Sequence, residues 1–134
     1  MGPNDGELVR VFTAQAGGII ADVTFPVNTD FEVRVDAEAG SAIFSAGAAF
    51  QTNIVLRDIT ANNDIPFAPA AGFSGTLNSA AFADPAKTFT YAVAAAGLAG
   101  RENHLCEARA FLNIGVTNQD SSFAVSTTFL LTAP

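Results

Sequence analysis

The single histidine and the single cysteine of the chain, His104 and Cys106, are two residues apart. Side chains at positions i and i+2 of a strand point to the same side, so a strand here would make the imidazole and the thiol neighbours. Such a pair is the beginning of a nucleophilic site, and it also supplies two zinc ligands. Zinc sites take three or four protein ligands, and the sequence has no further His or Cys. We therefore interpret Cys106 as a small buried residue and His104 as a residue at the edge of the core.

The polar segment 101–104 follows two glycines and is predicted to be a turn between two strands. Glu102, His104 and Glu107 are candidates for an acid–base cluster in this region. Alternation along a strand, however, places Glu107 on the side opposite to His104. The sequence therefore favours a solvated turn over a catalytic site.

Oxygen-bearing side chains are concentrated in the segment 58–64, at Asp58, Asn62, Asn63 and Asp64. Calcium binds six to eight oxygen atoms, and the loops of β-sandwich proteins can supply them. The spacing differs from that of an EF-hand loop, which needs a glycine at its sixth position and a distal glutamate. Consecutive Asn and Asp residues are equally typical of a tight turn. A calcium site here is one hypothesis, and a simple turn is the other.

A long segment, 65–86, interrupts the alternating pattern with prolines, glycines, alanines and the three phenylalanines Phe67, Phe73 and Phe82. Structureless loops of this length are uncommon in a compact domain and indicate either a function or a short hidden element. Asn78 and Ser79 are suitable caps for one helical turn over 80–83. We favour a connection whose phenylalanines close one end of the core. The alternative is a binding loop in which these three rings contact a ligand.

The clearest structural signal is the alternation in 31–38, where every odd position is apolar and every even position is charged. This pattern predicts an antiparallel strand with one face against a core and the other in water. Further strands are predicted, with less regular patterns, at 8–15, 19–25, 50–59, 88–94, 104–116 and 122–131.

Three finer predictions concern how these strands connect. The segment Ala16-Gly17-Gly18 predicts a hairpin between the first two apolar runs, 8–15 and 19–25. The short run 41–45 is predicted to be an edge strand or a continuation of the strand before it. In 122–131, alternation predicts that Phe123, Val125, Phe129 and Leu131 share one face.

Six to eight strands without a long amphipathic helix predict an all-β protein built from two antiparallel sheets packed face to face. Both the immunoglobulin-like and the jelly-roll arrangement suit the number of strands. The 134 residues suit a single domain, which we place at 7–134 after a disordered or extended segment at 1–6.

The charge of the chain excludes one class of partner. Thirteen acidic and six basic side chains give a net charge of −7, which repels the phosphates of nucleic acids. No apolar stretch reaches the length needed to span a membrane, so no membrane insertion is expected. The first residues lack the pattern of a signal peptide, which slightly favours the cytoplasm.

These observations favour a non-catalytic β-sandwich that acts by binding a protein partner or by self-association. Apolar residues on both sides of some strands, such as Phe111, are consistent with a covered outer face. The second interpretation is a small-ligand or carbohydrate-binding sandwich, with calcium as its candidate cofactor. An enzyme that uses His104 is the third. No cofactor other than calcium is expected.

Overall fold

The computed structural model describes residues 2–115 and 120–134. These residues form ten strands, one α-helix and a 3-10 turn at Ala95–Leu98. The strands are β1 (Gly6–Gln15), β2 (Thr24–Pro26), β3 (Phe31–Ala39), β4 (Ala49–Asp58), β5 (Asn63–Asp64), β6 (Phe73–Thr76), β7 (Ala86–Val93), β8 (Leu105–Ile114), β9 (Asp120–Val125) and β10 (Phe129–Thr132), and the helix is α1 (Ser41–Ser45).

The strands form two sheets. Sheet A has the order β1-β3-β7, and sheet B has the order β2-β10-β8-β4-β5, with β6 beside β4 and β9 beside β8. All pairs are antiparallel except the short parallel pair of β2 and β10. The predicted two-sheet antiparallel β-sandwich is therefore confirmed.

The distribution of the six longest strands favours one of the two predicted arrangements. In chain order these strands are β1, β3, β4, β7, β8 and β9. The first, second and fourth form sheet A, whereas the third, fifth and sixth are adjacent in sheet B. This division matches strands A, B and E against C, F and G of an immunoglobulin-like sandwich.

The core lies between the sheets and is lined by the alternating side chains that the sequence indicates. Every odd position of β3, from Phe31 to Ala39, is buried. Aromatic rings fill both ends of this layer. At one end Phe25 stacks on Phe31 with 4.5 Å between ring centroids, and at the other Phe50 meets Phe82 edge to face at 5.3 Å. Because these rings are almost fully buried, each contributes roughly 2–3 kcal/mol of hydrophobic stabilisation.

The predicted hairpin of the first two apolar runs is wrong. The segment after β1 makes a single bridge, between Ala14 and Ala21, and then crosses to the other sheet. There β2 pairs with β10 at the far end of the chain, as Phe25 opposite Leu131. The Phe25 ring is buried in the core from this position in sheet B.

Two short segments also differ from their predictions. Residues Ser41–Ser45 form α1 rather than a strand, and the Pro3 carbonyl oxygen accepts hydrogen bonds from Ala42 and Ile43 at the start of this helix. The segment 80–83 forms a bridged turn, in which Ser79 and Phe82 pair, instead of a helical turn. The long connection 65–86 does contain a short element, because β6 lies within it.

The predicted strands at 50–59 and 88–94 correspond to β4 and β7. The predicted strand at 104–116 corresponds to β8, and its last residue lies outside the described part of the chain. No helix within the described ranges is long and apolar enough to cross a membrane.

Candidate functional site

The most concentrated polar cluster surrounds Asp58, the last residue of β4. Its carboxylate is completely buried, although β4 ends here at one end of the sandwich. Oδ2 accepts hydrogen bonds from the Arg101 guanidinium at 2.8 Å and from Nδ1 of His104 at 2.7 Å. Oδ1 accepts a third from the backbone N–H of Ala61 at 2.9 Å. Three donors therefore satisfy a charge that would otherwise be costly to bury.

Two loops position the side chains that bind Asp58. Arg101 follows the 3-10 turn, and its Nε donates to the Gly97 carbonyl oxygen at 3.1 Å, which fixes the side chain against that turn. The same guanidinium reaches the Asn63 side chain at 2.6 Å. His104 precedes β8, whose first residue, Leu105, donates its N–H to Thr60 Oγ1 at 2.9 Å. The cluster therefore ties the 58–64 turn to the 97–105 turn.

Electrostatics within the cluster favour the ionised form of Asp58. Burial by itself would raise the pKa of this carboxyl group. The hydrogen bonds from Ala61, His104 and Arg101, together with the charge of His104, outweigh burial and hold the pKa below its ordinary 3.8. The carboxylate is therefore charged throughout the neutral range, and it faces the Arg101 guanidinium and the His104 imidazole.

The His104–Cys106 pair does not form a nucleophile and a base. Cys106 is buried in the core, and its thiol contacts the His104 carbonyl oxygen at 3.8 Å rather than the imidazole. Burial, with a smaller contribution from the negative charge of Asp58, raises the pKa of this thiol to about 12, although Arg101 acts in the opposite direction. A thiol in this state supplies almost no thiolate at neutral pH. The imidazole instead orients toward Asp58.

The glutamates of the predicted acid–base cluster lie apart from His104. Glu107 forms an ion pair with Arg109 at 2.7 Å on the outer face of sheet B, and Glu102 is exposed at the tip of its turn. Glu107 therefore lies on the side of the strand opposite to the imidazole, as alternation predicts.

The four residues of the calcium hypothesis divide between two arginines. Asp58 and Asn63 bind Arg101, as described above. On the outer side, Arg57 binds the Asp64 carboxylate at 2.9 Å and the Asn62 side chain at 2.6 Å. No group of three or more His, Cys, Asp or Glu residues within 2–115 and 120–134 is arranged to hold a metal ion. A calcium site stays a prediction, and calcium would have to displace two guanidinium groups.

The three phenylalanines of the long connection pack into one aromatic cluster. Phe67 meets Tyr91 with ring centroids 5.5 Å apart, and Phe73 lies 5.0 Å from Phe89. Phe82 is fully buried against the same cluster. The three rings thus close one side of the sandwich. Phe73 and Phe67 are partly accessible at its surface, so a ligand-contacting role for the loop stays a prediction.

A second candidate site, on the outer face of sheet B, is made of apolar side chains, of which Val55, Phe123 and Val125 are exposed and Phe111 is half-buried. Cross-strand pairing places Phe111 opposite Phe123, and Val55 and Val125 on either side of Arg109. Phe123 is 77% exposed, which is unusual for a phenylalanine on a sheet. We refer to Val55, Phe111, Phe123 and Val125 as the outer apolar patch. The sequence indicated Phe111, but the prediction that Phe123 and Val125 share one face with Phe129 and Leu131 is wrong, because the first two are exposed and the last two are buried.

Charge is distributed unequally between the two outer faces. On sheet B the arginines are balanced by carboxylates, since Arg57 pairs with Asp64 and Arg109 with Glu107. The outer face of sheet A carries twice as many acidic as basic residues, namely Glu7, Glu32, Asp36 and Glu38 against Arg10 and Arg34. The outer face of sheet A therefore carries an excess of two negative charges, whereas the two ion pairs on sheet B are balanced.

Comparison with known proteins supports the fold. No protein-family model matches the chain, and no curated protein matches it. Among solved structures, it is similar to the crystal structure of AggA, the major subunit of aggregative adherence fimbriae type I from Escherichia coli. The TM-score is 0.53 over 98% of this chain and 97% of that chain, with 13% sequence identity. This likeness shows a shared fold.

Proposed function

We propose that the chain is a non-catalytic assembly module that self-associates through the outer apolar patch. The observation that carries the proposal is the exposure of Phe123 beside Phe111, Val55 and Val125 on one face of the sandwich. Contiguous apolar surface of this kind is a common sign of a protein–protein interface, with aromatic residues as its main anchors.

A second copy of the chain is a suitable partner on electrostatic grounds. Molecules with a net charge of −7 repel one another in general, and they repel most strongly where like charges meet. The outer face of sheet B avoids this cost because Arg57 and Arg109 are each neutralised within the face. Two such faces can meet in an isologous contact without bringing unbalanced charges together. Two outer faces of sheet A would bring like charges together, because acidic residues outnumber basic ones on that face, so the corresponding contact through sheet A is disfavoured.

The structural likeness to AggA supports assembly, since that protein is the major subunit of aggregative adherence fimbriae. A fold alone does not determine function, so the argument depends on the outer apolar patch.

The Asp58 cluster has a structural role in this proposal. Its carboxylate is fully buried, and three donors within the chain occupy it. Nδ1 of His104 is engaged with Asp58, and the Cys106 thiol, the nucleophile candidate nearest in sequence, is buried and contacts the His104 carbonyl oxygen instead of the imidazole. We propose that the cluster joins two turns and performs no reaction.

Light scattering over a concentration series tests self-association directly. We expect the mass of the native chain to rise with concentration, and the Phe123→Asp variant to stay monomeric because the substitution places a charge in the centre of the interface. Thr90→Asp is the matched control, since Thr90 is exposed on the outer face of sheet A and receives the same charge. A native chain that stays monomeric at every concentration would overturn the proposal. Equal loss of association in both variants would also overturn it.

A further inference from the structure

An open groove runs between β6 and β7, on the side of the sandwich away from β1. Its volume is about 440 Å³, which is within the range of ligand-binding clefts. Its apolar floor is formed by aromatic side chains, and exposed small residues of 74–81 form one wall. The floor residues are Phe50, Phe73 and Phe89.

The other wall is an edge of the backbone. β7 pairs with β3 without interruption from Ala86 to Val93. Ala92 directs its N–H and carbonyl groups away from β3, because both are bonded to Ala68, at 2.8 and 2.9 Å. Backbone groups alternate in direction along an antiparallel strand, so those of Thr90 and Thr88 point the same way as those of Ala92. No strand of the described residues pairs with β7 on that side over 86–90.

One charged side chain stands beside this edge. Lys87 is the only lysine of the chain and lines the groove. Its amino group makes no ion pair with any residue in 2–115 or 120–134 and lies 5.9 Å from the centre of the Phe89 ring. Lys87 and Phe89 are two residues apart in β7 and therefore point to the same side.

We propose that this groove binds an extended peptide segment that adds a strand to the free edge of β7. Backbone pairing with Thr88 and Thr90 supplies the affinity, as in other cases of strand addition at a sheet edge. The bound strand alternates in the same way as β7, so the residues opposite Phe89 and Lys87 are separated by one residue. The ligand is therefore a strand with an apolar and an acidic residue at positions i and i+2. This inference uses a different surface from the outer apolar patch.

Titration of the ¹⁵N-labelled protein with a synthetic peptide tests the inference. The probe is a blocked seven-residue peptide of alternating threonine and valine in which one inner valine is replaced by glutamate. We expect saturable shifts of the Thr88, Phe89 and Thr90 amide signals. A peptide with lysine in place of the glutamate should bind several-fold more weakly to the native chain. The Lys87→Glu variant should reverse this preference.

Edge pairing is tested separately from the apolar floor. Thr90→Pro removes an N–H that points away from β3, so sheet A retains its hydrogen bonds while the edge is blocked. We expect at least a tenfold loss of peptide affinity. As a check independent of any variant, a peptide N-methylated at the residues that face β7 should fail to bind the native chain. Unchanged binding of the methylated peptide would overturn strand addition, and so would a native chain that binds no peptide. Phe123→Asp should leave peptide binding intact, which separates this inference from self-association.

Discussion

Replacing Asp58 by asparagine removes one charge from a fully buried cluster while keeping its shape. In the native chain this carboxylate accepts bonds from Arg101, His104 and the backbone of Ala61. The amide of asparagine can accept one or two of these bonds but carries no charge to balance Arg101, whose side chain is only 15% exposed. The variant therefore leaves a largely buried guanidinium without its counter-ion.

The size of the effect follows from this burial. Removing one partner of a buried ion pair costs about 3–5 kcal/mol, and retention of some hydrogen bonds favours the lower end. A loss of about 3 kcal/mol corresponds to a fall in Tm of roughly 10 °C for a domain of this size. Asp64→Asn is the matched control, because the Asp64 side chain is 68% exposed in its pair with Arg57. Exposed pairs of this kind contribute less than about 1 kcal/mol.

The pH dependence gives an independent check on the same reasoning. The pKa of Asp58 lies below 3.8 in the folded chain. Between that lowered value and 3.8 the unfolded chain binds more protons, so the contribution is complete above about pH 4 and is lost as pH falls through the folded-state pKa. The pKa of Glu32 is also lowered, chiefly by its hydrogen bond from Arg34, and adds a loss of the same sign. The difference between the native chain and Asp58→Asn should therefore shrink below pH 4, while the contribution of Glu32 cancels.

Denaturant unfolding at neutral pH, repeated at intervals down to pH 2, measures both quantities. Equal stability of Asp58→Asn and Asp64→Asn at neutral pH would refute the assignment of a stabilising role to the buried cluster. A difference between the native chain and Asp58→Asn that stays constant down to pH 2 would refute the lowered pKa.

Four further predictions use positions elsewhere in the chain. Tyr91→Phe should raise stability by about 1 kcal/mol in denaturant unfolding, because the buried hydroxyl has no hydrogen-bond partner of good geometry among the described residues. Gly72→Ala should lower the free energy of unfolding by more than about 2 kcal/mol, since a Cβ there would overlap the backbone of β4 at a φ of +73°. Gly17→Ala has a similar φ of +74° but lies in open space, so it should lower the free energy of unfolding by only about 1 kcal/mol. Cys106 should resist iodoacetamide in the native chain and react on unfolding, as mass spectrometry would reveal, because burial raises its pKa to about 12. Millimolar calcium should leave Tm unchanged because arginines occupy the oxygen atoms of the 58–64 segment; a rise that Asp64→Ala abolishes would instead support the calcium hypothesis.

The sequence predicts those strands whose own residues alternate between apolar and polar. Alternation in β3 identified both its buried and its solvated face, because the polarity of each residue indicates the face on which it lies. The hairpin prediction failed for the opposite reason. Two glycines after β1 are a local turn signal, but β2 is held by a partner more than 100 residues away, as the pairing of Thr24 with Leu130 demonstrates. Such long-range competition leaves no trace in a short sequence window.

The Asp58 cluster was only half predictable for a similar reason. The sequence marked Asp58 as a candidate ligand and His104 as a candidate base, because their side chains are chemically capable of these roles. Their pairing depends on positions 46 residues apart, and Arg101 is 43 residues from Asp58. Only the antiparallel pairing of β4 with β8, which sets Asp58 opposite Cys106, brings the three together.

The outer apolar patch arises from a one-residue slip that alternation cannot reveal. In β9, Val125 pairs with Arg109, so an uninterrupted strand would place Thr128 opposite Cys106. The observed partner of Cys106 is Phe129, one residue later. A slip of one residue exchanges the two faces of a strand, which turns Phe123 and Val125 outward while Phe129 enters the core.

Hydrogen bonds hold this slip in place. The buried Ser126 donates its N–H to the Ala108 carbonyl oxygen at 2.8 Å, and its hydroxyl oxygen accepts the Ala108 N–H at 2.9 Å. A side-chain oxygen thus takes the position of a backbone carbonyl, and the extra residue fits without an unsatisfied donor at Ala108. The exposure of Phe123 is therefore specified by the backbone and is not a failure of packing. The buried Ser126 stabilises a register that turns two apolar side chains outward. This arrangement is consistent with the proposal that this face meets another copy of the chain.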